Sequence, residues 1–224
     1  MKTSVIIVCA GNSTRMGGVN KILLPLGDKN VVGVTMTAFQ QCEDVAEIIV
    51  VAREDDIPVI CKSAEDYGIT KFAGCAKGGA TRQQSVINGL DKISKDTELI
   101  AIHDGARPLV KPEHIQMVIK DAYVFGGATL GVPVKDTIKV VDGGLITDTP
   151  PRSKLYITQT PQIFKRKLYF EAVNFAVAHD FDFTDDCQLA EAMGHRVAMT
   201  TGDYTNIKIT TPEDIHIAEL LLNR

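Results

Sequence analysis

Apolar segments with strand character alternate with segments of helical periodicity along most of the chain, and this alternation restricts the fold more than any other feature. Residues 5–9 form an unbroken apolar run rich in β-branched side chains, which is typical of a strand covered on both faces. Residues 47–52 and 99–103 are similar, and helical patterns such as Val31–Gln41 and Pro112–Phe125 separate such runs. Repeated strand–helix units predict an α/β fold with a three-layer, mainly parallel, Rossmann-like sheet.

The other predicted elements follow the same alternation, with one exception. Further strands are expected at residues 128–133, 197–201 and 206–209, and further helices at 55–67, 81–93, 165–179, 187–193 and after Thr211. In the exception, two short extended pieces at 137–141 and 145–149 flank Asp142-Gly143-Gly144, which indicates a β-hairpin. We therefore expect a single domain over residues 1–224, from which residues 134–158 project as an inserted β-hairpin arm.

The composition argues against several classes of protein. The formal net charge of -4 provides no basic field for nonspecific binding of nucleic acid. No apolar run approaches the length of a membrane span, so we expect no membrane partner. The five cysteines are odd in number and scattered, without a Cys-x-x-Cys pair, which favours reduced thiols in a cytoplasmic protein.

Three loops that follow predicted strands form the candidate site, because parallel α/β sheets bind ligands beyond the carboxyl ends of their strands. They are residues 10–21, 78–85 and 104–108. The first combines glycines and hydroxyl groups with two cations, Arg15 and Lys21, which suits a triphosphate. It is neither a Walker loop nor a dinucleotide fingerprint, because Ser13 stands where the fingerprint needs its second glycine. A solvated glycine-rich turn would have the same composition.

The other two loops add the start of a helix and a carboxylate. Residues 78–85 enter a helix whose first N–H groups suit an anion or a base edge, although Thr81 as a simple N-cap explains the same sequence. Asp104 ends a buried strand, where a carboxylate is a natural Mg²⁺ ligand, and Arg107 is placed to bind a phosphate. His103 is better explained as a structural imidazole bonded to nearby backbone than as a general base.

These motifs, together with others further along the chain, resemble those of the 2-C-methyl-D-erythritol 4-phosphate cytidylyltransferase family. The matching stretches, in chain order, are Ala10-Gly11, Thr14-Arg15-Met16-Gly17, Asn20-Lys21, Gly78-Gly79, Arg82, Ser85-Val86, His103-Asp104-Gly105-Ala106-Arg107-Pro108, Pro133-Val134-Lys135-Asp136-Thr137-Ile138-Lys139, Arg152-Ser153, Leu155, Gln159-Thr160-Pro161-Gln162, Phe164, Thr184-Asp185-Asp186, Asn206-Ile207-Lys208, Thr210 and Pro212-Glu213-Asp214. The resemblance covers essentially the whole chain. Its most specific parts are the Asp104 loop and residues 159–162.

The resemblance implies a nucleotidyltransferase that moves CMP from CTP to 2-C-methyl-D-erythritol 4-phosphate, releasing pyrophosphate, in the non-mevalonate isoprenoid precursor pathway. It implies that Arg15, Lys21 and Asp104 are catalytic and that Asp104 also binds Mg²⁺. The implied nucleotide-binding residues are Ala10, Gly11, Asn12, Ser13, Gly79, Ala80, Arg82, Ser85 and Gly105. The implied substrate-binding residues are Arg107, Thr137, Arg152, Thr160, Thr184, Asp185 and Lys208. It also implies a homodimer built by the arms, with Thr137 and Arg152 reaching the polyol phosphate of the neighbouring subunit.

Two alternatives stay open at the level of sequence. A D-ribitol-5-phosphate cytidylyltransferase would share the motifs at residues 104–108 and 159–162, but residues 136–139, Arg152-Ser153 and Gly105-Ala106 are more similar to the methylerythritol family. A nucleotide-binding module without catalytic activity is the second alternative, and the presence of both loop cations and Asp104 argues against it. The chain departs from the family pattern at Ser13, Asn20 and Ala80, where many members carry glycine, proline and an acidic residue.

Overall fold

A computed structural model describes residues 1–11, 20–181 and 183–223, and its centre is a seven-stranded sheet. In spatial order the strands are β11 (Ala198–Thr201), β7 (Gly127–Pro133), β10 (Tyr156–Lys165), β6 (Leu99–Asp104), β1 (Thr3–Val8), β4 (Val45–Ala52) and β5 (Phe72–Lys77). Neighbouring strands run parallel, except that β10 pairs antiparallel with β6 and β7. The predicted α/β fold with a mainly parallel sheet is confirmed.

Helices cover both faces of this sheet, because successive side chains along each strand point to opposite faces. The helices are α1 (Val31–Gln41), α2 (Ile57–Asp66), α3 (Arg82–Leu90), α4 (Pro112–Phe125), α5 (Arg166–Ala178), α6 (Asp186–Ala192) and α7 (Pro212–Leu222). In β1, Val5 and Ile7 pack with α1, α2 and α4, whereas Ile6 packs with α3, α5 and α6. A smaller apolar cluster holds α7 against the loop after β6 and the short strand β2 (Pro25–Leu26), which pairs antiparallel with β3 (Lys29–Asn30).

Strong local signals placed several helix ends correctly. Helices α1 and α4 have the predicted bounds, and Gly126 ends α4 with a positive φ of 93°. Helix α7 begins at Pro212, and the predicted cap is a full capping box in which Thr211 and Asp214 satisfy each other's backbone N–H groups. These ends are encoded within a few residues of the helix itself.

The strand predicted at residues 206–209 is wrong, because this segment has no regular secondary structure. Its backbone binds the loop after β6 instead of another strand. The N–H group of Ile209 donates to the carbonyl of Ala106 at 2.8 Å, and the carbonyl of Asn206 accepts from Arg107 Nη1 at 2.9 Å. These bonds to the backbone of residues 206–209 hold the segment beside Asp104, with Lys208 in its middle.

The central antiparallel strand β10 was missed by the sequence analysis, which found only short extended pieces before residue 160. Proline and four polar residues interrupt the apolar pattern of Tyr156–Lys165, and proline is rare in a central strand. The structure accommodates the interruption with an irregularity in the β7–β10 register between Thr158 and Gln162. That irregularity lies beside the carboxyl end of β6.

The predicted hairpin is present as a separate two-stranded sheet. Strands β8 (Val140–Asp142) and β9 (Leu145–Asp148) pair antiparallel, and Gly143 and Gly144 turn the chain with positive φ angles of 54° and 81°. Every residue of both strands is exposed, including Val141 at 56%, Leu145 at 74% and Ile146 at 64%. The assignment of a single domain with residues 134–158 as a dimerisation arm stays a prediction.

Candidate active site

A cavity of about 370 Å³ opens at the carboxyl ends of β1, β5 and β6, where the sequence predicted the site. Its walls are Val8, Cys9, Ala10, Gly11, Lys21, Ile22, Gly79, Ala80, Thr81, Arg82, Ser85, Asp104, Ala106, Lys208 and Thr210. Residues from all three candidate loops therefore share one cavity. Three predicted site residues, Asn12, Ser13 and Arg15, lie outside the described residues.

Two glycines allow the loops to converge. A Cβ atom on Gly78 would stand 2.3 Å from the Cβ of Ala10, and one on Gly105 would stand 2.2 Å from Cys9 Sγ. Both loops continue the sheet hydrogen bonding, since Gly78 N–H donates to Ala52 O and Gly105 N–H donates to Val8 O. The Cys9 thiol, for which the sequence offered no role, is a packing group here, and burial raises its pKa and keeps it neutral.

Side chains at the start of α3 make hydrogen bonds that fix the backbone of the second loop, residues 78–85. Thr81 is the N-cap of α3 and accepts a hydrogen bond from the Gln84 N–H, as the simpler interpretation of this loop required. Ser85 donates to the carbonyl of Thr81 at 2.9 Å and accepts from the N–H of Gly79 at 3.0 Å. The Ser85 hydroxyl therefore closes the loop that forms this wall of the cavity.

Asp104 is surrounded by cations. Its Oδ2 atom lies 2.9 Å from Lys208 Nζ and 3.4 Å from Arg107 Nε. Burial of the carboxyl group opposes ionisation, but the charges of Lys208, Arg82 and Arg107 outweigh it and lower the Asp104 pKa to about 2. The carboxylate is therefore ionised at neutral pH, and this end of the cavity carries one negative group among several positive ones.

His103 is a structural residue, as the sequence suggested. Its Nε2 lies 3.1 Å from the Arg107 carbonyl, which can only accept, so Nε2 carries the proton and Nδ1 accepts from the Thr160 hydroxyl at 3.0 Å. Thr160 Oγ1 in turn accepts from the Asp104 N–H at 3.0 Å. Burial lowers the His103 pKa to about 4, so the ring is neutral at pH 7. This chain of hydrogen bonds fixes the backbone of the Asp104 loop.

Arg82 also lines the cavity and is paired with the buried carboxylate of Asp186. Its Nη2 lies 2.5 Å from Asp186 Oδ2, and Asp186 Oδ1 accepts from the Tyr169 hydroxyl at 2.5 Å. Burial alone would lower the Arg82 pKa, but the charge of Asp186 raises it above its usual value. Arg82 is therefore a fixed cation at neutral pH.

Of the predicted substrate-binding residues, Lys208 lines this cavity and the others do not. Arg107 and Thr160 contact Asp104 or its backbone, as described above. Thr184 and Asp185 lie at the start of α6, where Asp185 is the N-cap and accepts from the Gln188 N–H. Thr137 and Arg152 lie on the exposed arm and are absent from the cavity wall, and Arg152 donates instead to the Lys135 carbonyl at 2.6 Å.

Sequence reasoning gave no role to three residues that support the site, Gln162, Tyr169 and Asp186. Gln162 and Asp186 stand within the recognised motifs, but Tyr169 lies outside them. All three are almost fully buried. The available signal for Gln162 and Asp186 was their place within the motifs, whereas nothing in the sequence singled out Tyr169.

Comparison with known proteins agrees with this geometry. The profile of the 2-C-methyl-D-erythritol 4-phosphate cytidylyltransferase family matches residues 3–224. Proteins of that name from Caldanaerobacter subterraneus and Syntrophotalea carbinolica are 46% and 43% identical to the chain. The alignments cover all of this chain in both cases, and 100% and 97% of the respective relatives.

Solved structures support the same relationship. The 4-diphosphocytidyl-2C-methyl-D-erythritol synthase of Anaerococcus prevotii superposes with a TM-score of 0.89 at 32% identity, covering 99% of this chain and 96% of that one. The 2-C-methyl-D-erythritol 4-phosphate cytidylyltransferase of Thermus thermophilus superposes with a TM-score of 0.81 at 33% identity, and both chains are covered fully. These names favour the methylerythritol family over the ribitol alternative. The chain belongs to the 2-C-methyl-D-erythritol 4-phosphate cytidylyltransferase family.

Proposed function

We propose that the protein transfers CMP from CTP to 2-C-methyl-D-erythritol 4-phosphate, giving 4-diphosphocytidyl-2-C-methyl-D-erythritol and pyrophosphate. The observation that carries the proposal is the cavity that Lys21, Arg82 and Lys208 line together with the ionised Asp104. Three cations in one cavity suit two phosphorylated substrates that would otherwise repel each other. The family relationship supplies the identity of those substrates.

The chemistry requires charge neutralisation more than proton transfer. A phosphate oxygen of the acceptor is already anionic at pH 7 and forms a new bond to the α-phosphorus of CTP. The bond from that phosphorus to the bridging oxygen breaks, and the electron pair leaves with pyrophosphate. Lys21 and Arg82 line the cavity, where they would hold the triphosphate and stabilise the negative charge that accumulates on it. Arg107 and Lys208 would hold the acceptor phosphate beside Asp104.

We also propose that the reaction uses Mg²⁺, with Asp104 as its protein ligand. The described residues contain no cluster of three or more His, Cys, Asp or Glu side chains that could hold a metal ion. Mg²⁺ sites of phosphoryl-transfer enzymes commonly use one or two carboxylates together with substrate phosphates and water, so a single ionised carboxylate fits this mode. When bound, Mg²⁺ would neutralise part of the triphosphate charge.

We propose that the protein is a homodimer and that it is located in the cytoplasm. The apolar side chains of β8 and β9 are exposed in the isolated chain, and a lone hairpin is only marginally stable in water, so a second subunit would bury this surface. All five cysteines are free thiols, which suits a reducing compartment. Over the described part of the chain, no helix combines the length and apolar character needed to cross a bilayer.

The proposed reaction is tested by measuring pyrophosphate release from CTP with each candidate acceptor. We expect a larger kcat/KM for 2-C-methyl-D-erythritol 4-phosphate than for D-ribitol 5-phosphate, because the chain belongs to the methylerythritol family. A reversed preference would assign the protein to ribitol phosphate. Tight CTP binding without turnover of either acceptor would favour the noncatalytic nucleotide-binding module.

The role of the arm across the dimer is tested by mixing two inactive variants. We expect Lys21→Ala and Arg152→Ala to be inactive separately, whereas a mixed dimer would hold one intact site if Arg152 serves the neighbouring subunit. Random exchange makes about half of the dimers mixed, with one good site of two, so about a quarter of wild-type activity should return. Verified subunit exchange without recovery would instead place Arg152 within its own subunit's site.

A further inference from the structure

Gln162 is a buried amide in the middle of the central sheet. It belongs to β10, is 1% exposed, and stands opposite Ile102 of β6 and Thr129 of β7. Its neighbour Ile163 packs with the cluster that contains α1, α2 and α4. Because side chains alternate along a strand, the Gln162 amide faces the other layer, which contains α5 and α6. A polar group in this position needs specific partners.

Both ends of the amide bind the first turn of α6. The Gln162 Oε1 atom accepts from the N–H groups of Asp186 at 2.8 Å and Cys187 at 3.2 Å. Its Nε2 group donates to Asp185 Oδ2 at 3.1 Å. One side chain therefore fixes the position of two consecutive carboxylates relative to the sheet.

One of these two carboxylates is connected to the expected binding site for CTP, and the other to the expected binding site for the polyol phosphate. Asp186 holds Arg82, which lines the cavity and belongs to the residues expected to bind the nucleotide. Asp185 belongs to the residues expected to bind the polyol phosphate, and its other oxygen, Oδ1, is engaged as the N-cap of α6. Any shift of the α6 start relative to β10 would move both groups together.

We propose that Gln162 is a positioning residue that aligns the nucleotide cation Arg82, through Asp186, with the acceptor-side carboxylate Asp185. This inference rests on the proposed cytidylyltransferase reaction. It assigns different tasks to the two ends of one amide. The oxygen serves the CTP side through the backbone of α6, and the NH₂ group serves the acceptor side through Asp185.

Two substitutions separate these tasks. Gln162→Glu keeps an oxygen for the Asp186 and Cys187 N–H groups but replaces the donor with a carboxylate that repels Asp185. Gln162→Met has a similar size and removes both interactions. We expect Gln162→Glu to raise the KM for 2-C-methyl-D-erythritol 4-phosphate about tenfold while the Kd for CTP changes by less than about threefold, because only the acceptor side is misplaced. In Gln162→Met both constants should rise by about tenfold.

Gln40→Glu is the matched control. The Gln40 amide also accepts from a backbone N–H, that of Lys71, and donates to an oxygen, that of Thr70, but it is remote from the cavity. We expect this variant to keep wild-type constants. KM values are measured by pyrophosphate release, and the Kd for CTP is measured by calorimetry without the acceptor.

The outcomes distinguish the role of Gln162 from the proposed function. Suppose that the wild-type protein is active. The positioning role is then overturned if Gln162→Glu changes the KM for the acceptor and the Kd for CTP equally, or changes neither. If Gln162→Met does not fold, Gln162→Glu decides alone, because it retains the bonds to the α6 backbone. A wild-type protein without turnover would reject the proposed function, and a CTP Kd unaltered by Gln162→Met would then still reject the link to Arg82.

Discussion

Replacement of Asp104 by Asn is expected to lower kcat by about a thousandfold or more while the protein stays folded. The amide has nearly the same shape, so the backbone bond from residue 104 to Thr160 is preserved. The negative charge is lost, and with it the group that draws Lys208 and Arg107 to one point. The proposed Mg²⁺ ligand is lost as well, so the dependence of the rate on Mg²⁺ concentration should weaken or disappear.

The measurement is a Mg²⁺ titration of pyrophosphate release at saturating CTP, with thermal unfolding to verify the fold. Asp96→Asn is the control, because the Asp96 pKa is also lowered to about 2 by its hydrogen bond to Lys2, yet Asp96 follows the helix before β6 and lies away from the cavity. It should behave as wild type. Superposable Mg²⁺ curves for Asp104→Asn and wild type would exclude Asp104 from the metal site.

Replacement of Lys21 by Ala is expected to lower kcat by about a hundredfold to a thousandfold, with a much smaller effect on the KM for the polyol phosphate. Lys21 lines the same cavity as Gly11 and Gly79, and all three belong to the loops assigned to the nucleotide. Charge on the triphosphate increases as the transition state forms, so a cation held there stabilises the transition state more than the bound substrates.

Lys77→Ala is the control, because it shows whether loss of any positive charge near the site lowers turnover or only loss of the Lys21 ammonium group inside the cavity. Lys77 ends β5 close to the second loop, but its ammonium group is exposed and paired with Glu54 at 2.5 Å. Steady-state kinetics of both variants should give a large loss for Lys21→Ala and near-normal turnover for Lys77→Ala. Near-normal turnover in a folded Lys21→Ala variant would remove Lys21 from the catalytic set.

Sequence alone predicted those parts of the fold that local chemistry determines. The N-terminal proline and C-terminal glycine of α4, and the Thr211 capping box of α7, lie within one turn of the helix ends that they specify. Strand β10 could not be found in this way, because its place depends on pairing with β6 and β7 rather than on its own periodicity. The strand prediction for the segment containing Lys208 was wrong for the same reason, since the backbone partners of this segment belong to the loop after β6.

In the candidate site, too, residues placed by local sequence were predictable and long-range contacts were not. Lys21, Ser85 and Asp104 were predictable because each belongs to a segment that continues from the carboxyl end of a strand, and these ends meet at one edge of a parallel sheet. The contacts that support these residues could not be predicted from the sequence, because they join distant parts of the chain. Arg82 and Asp186 are 104 positions apart, and Gln162 lies 24 positions before the N–H group that it binds.

The chain leaves the sheet after Pro133 and returns at Tyr156, and these two residues face each other across β7 and β10. The Val134 N–H bond to the Leu155 carbonyl, at 3.0 Å, closes the backbone at that point. For the sheet, residues 134–155 are thus a loop with fixed ends, and doubling or halving such a loop changes its closure entropy by only about 0.6 kcal/mol. Insertions and deletions there would leave the register of β7 and β10 intact, so a change in the length of the arm would act on the surface that the arm contacts rather than on the stability of the sheet.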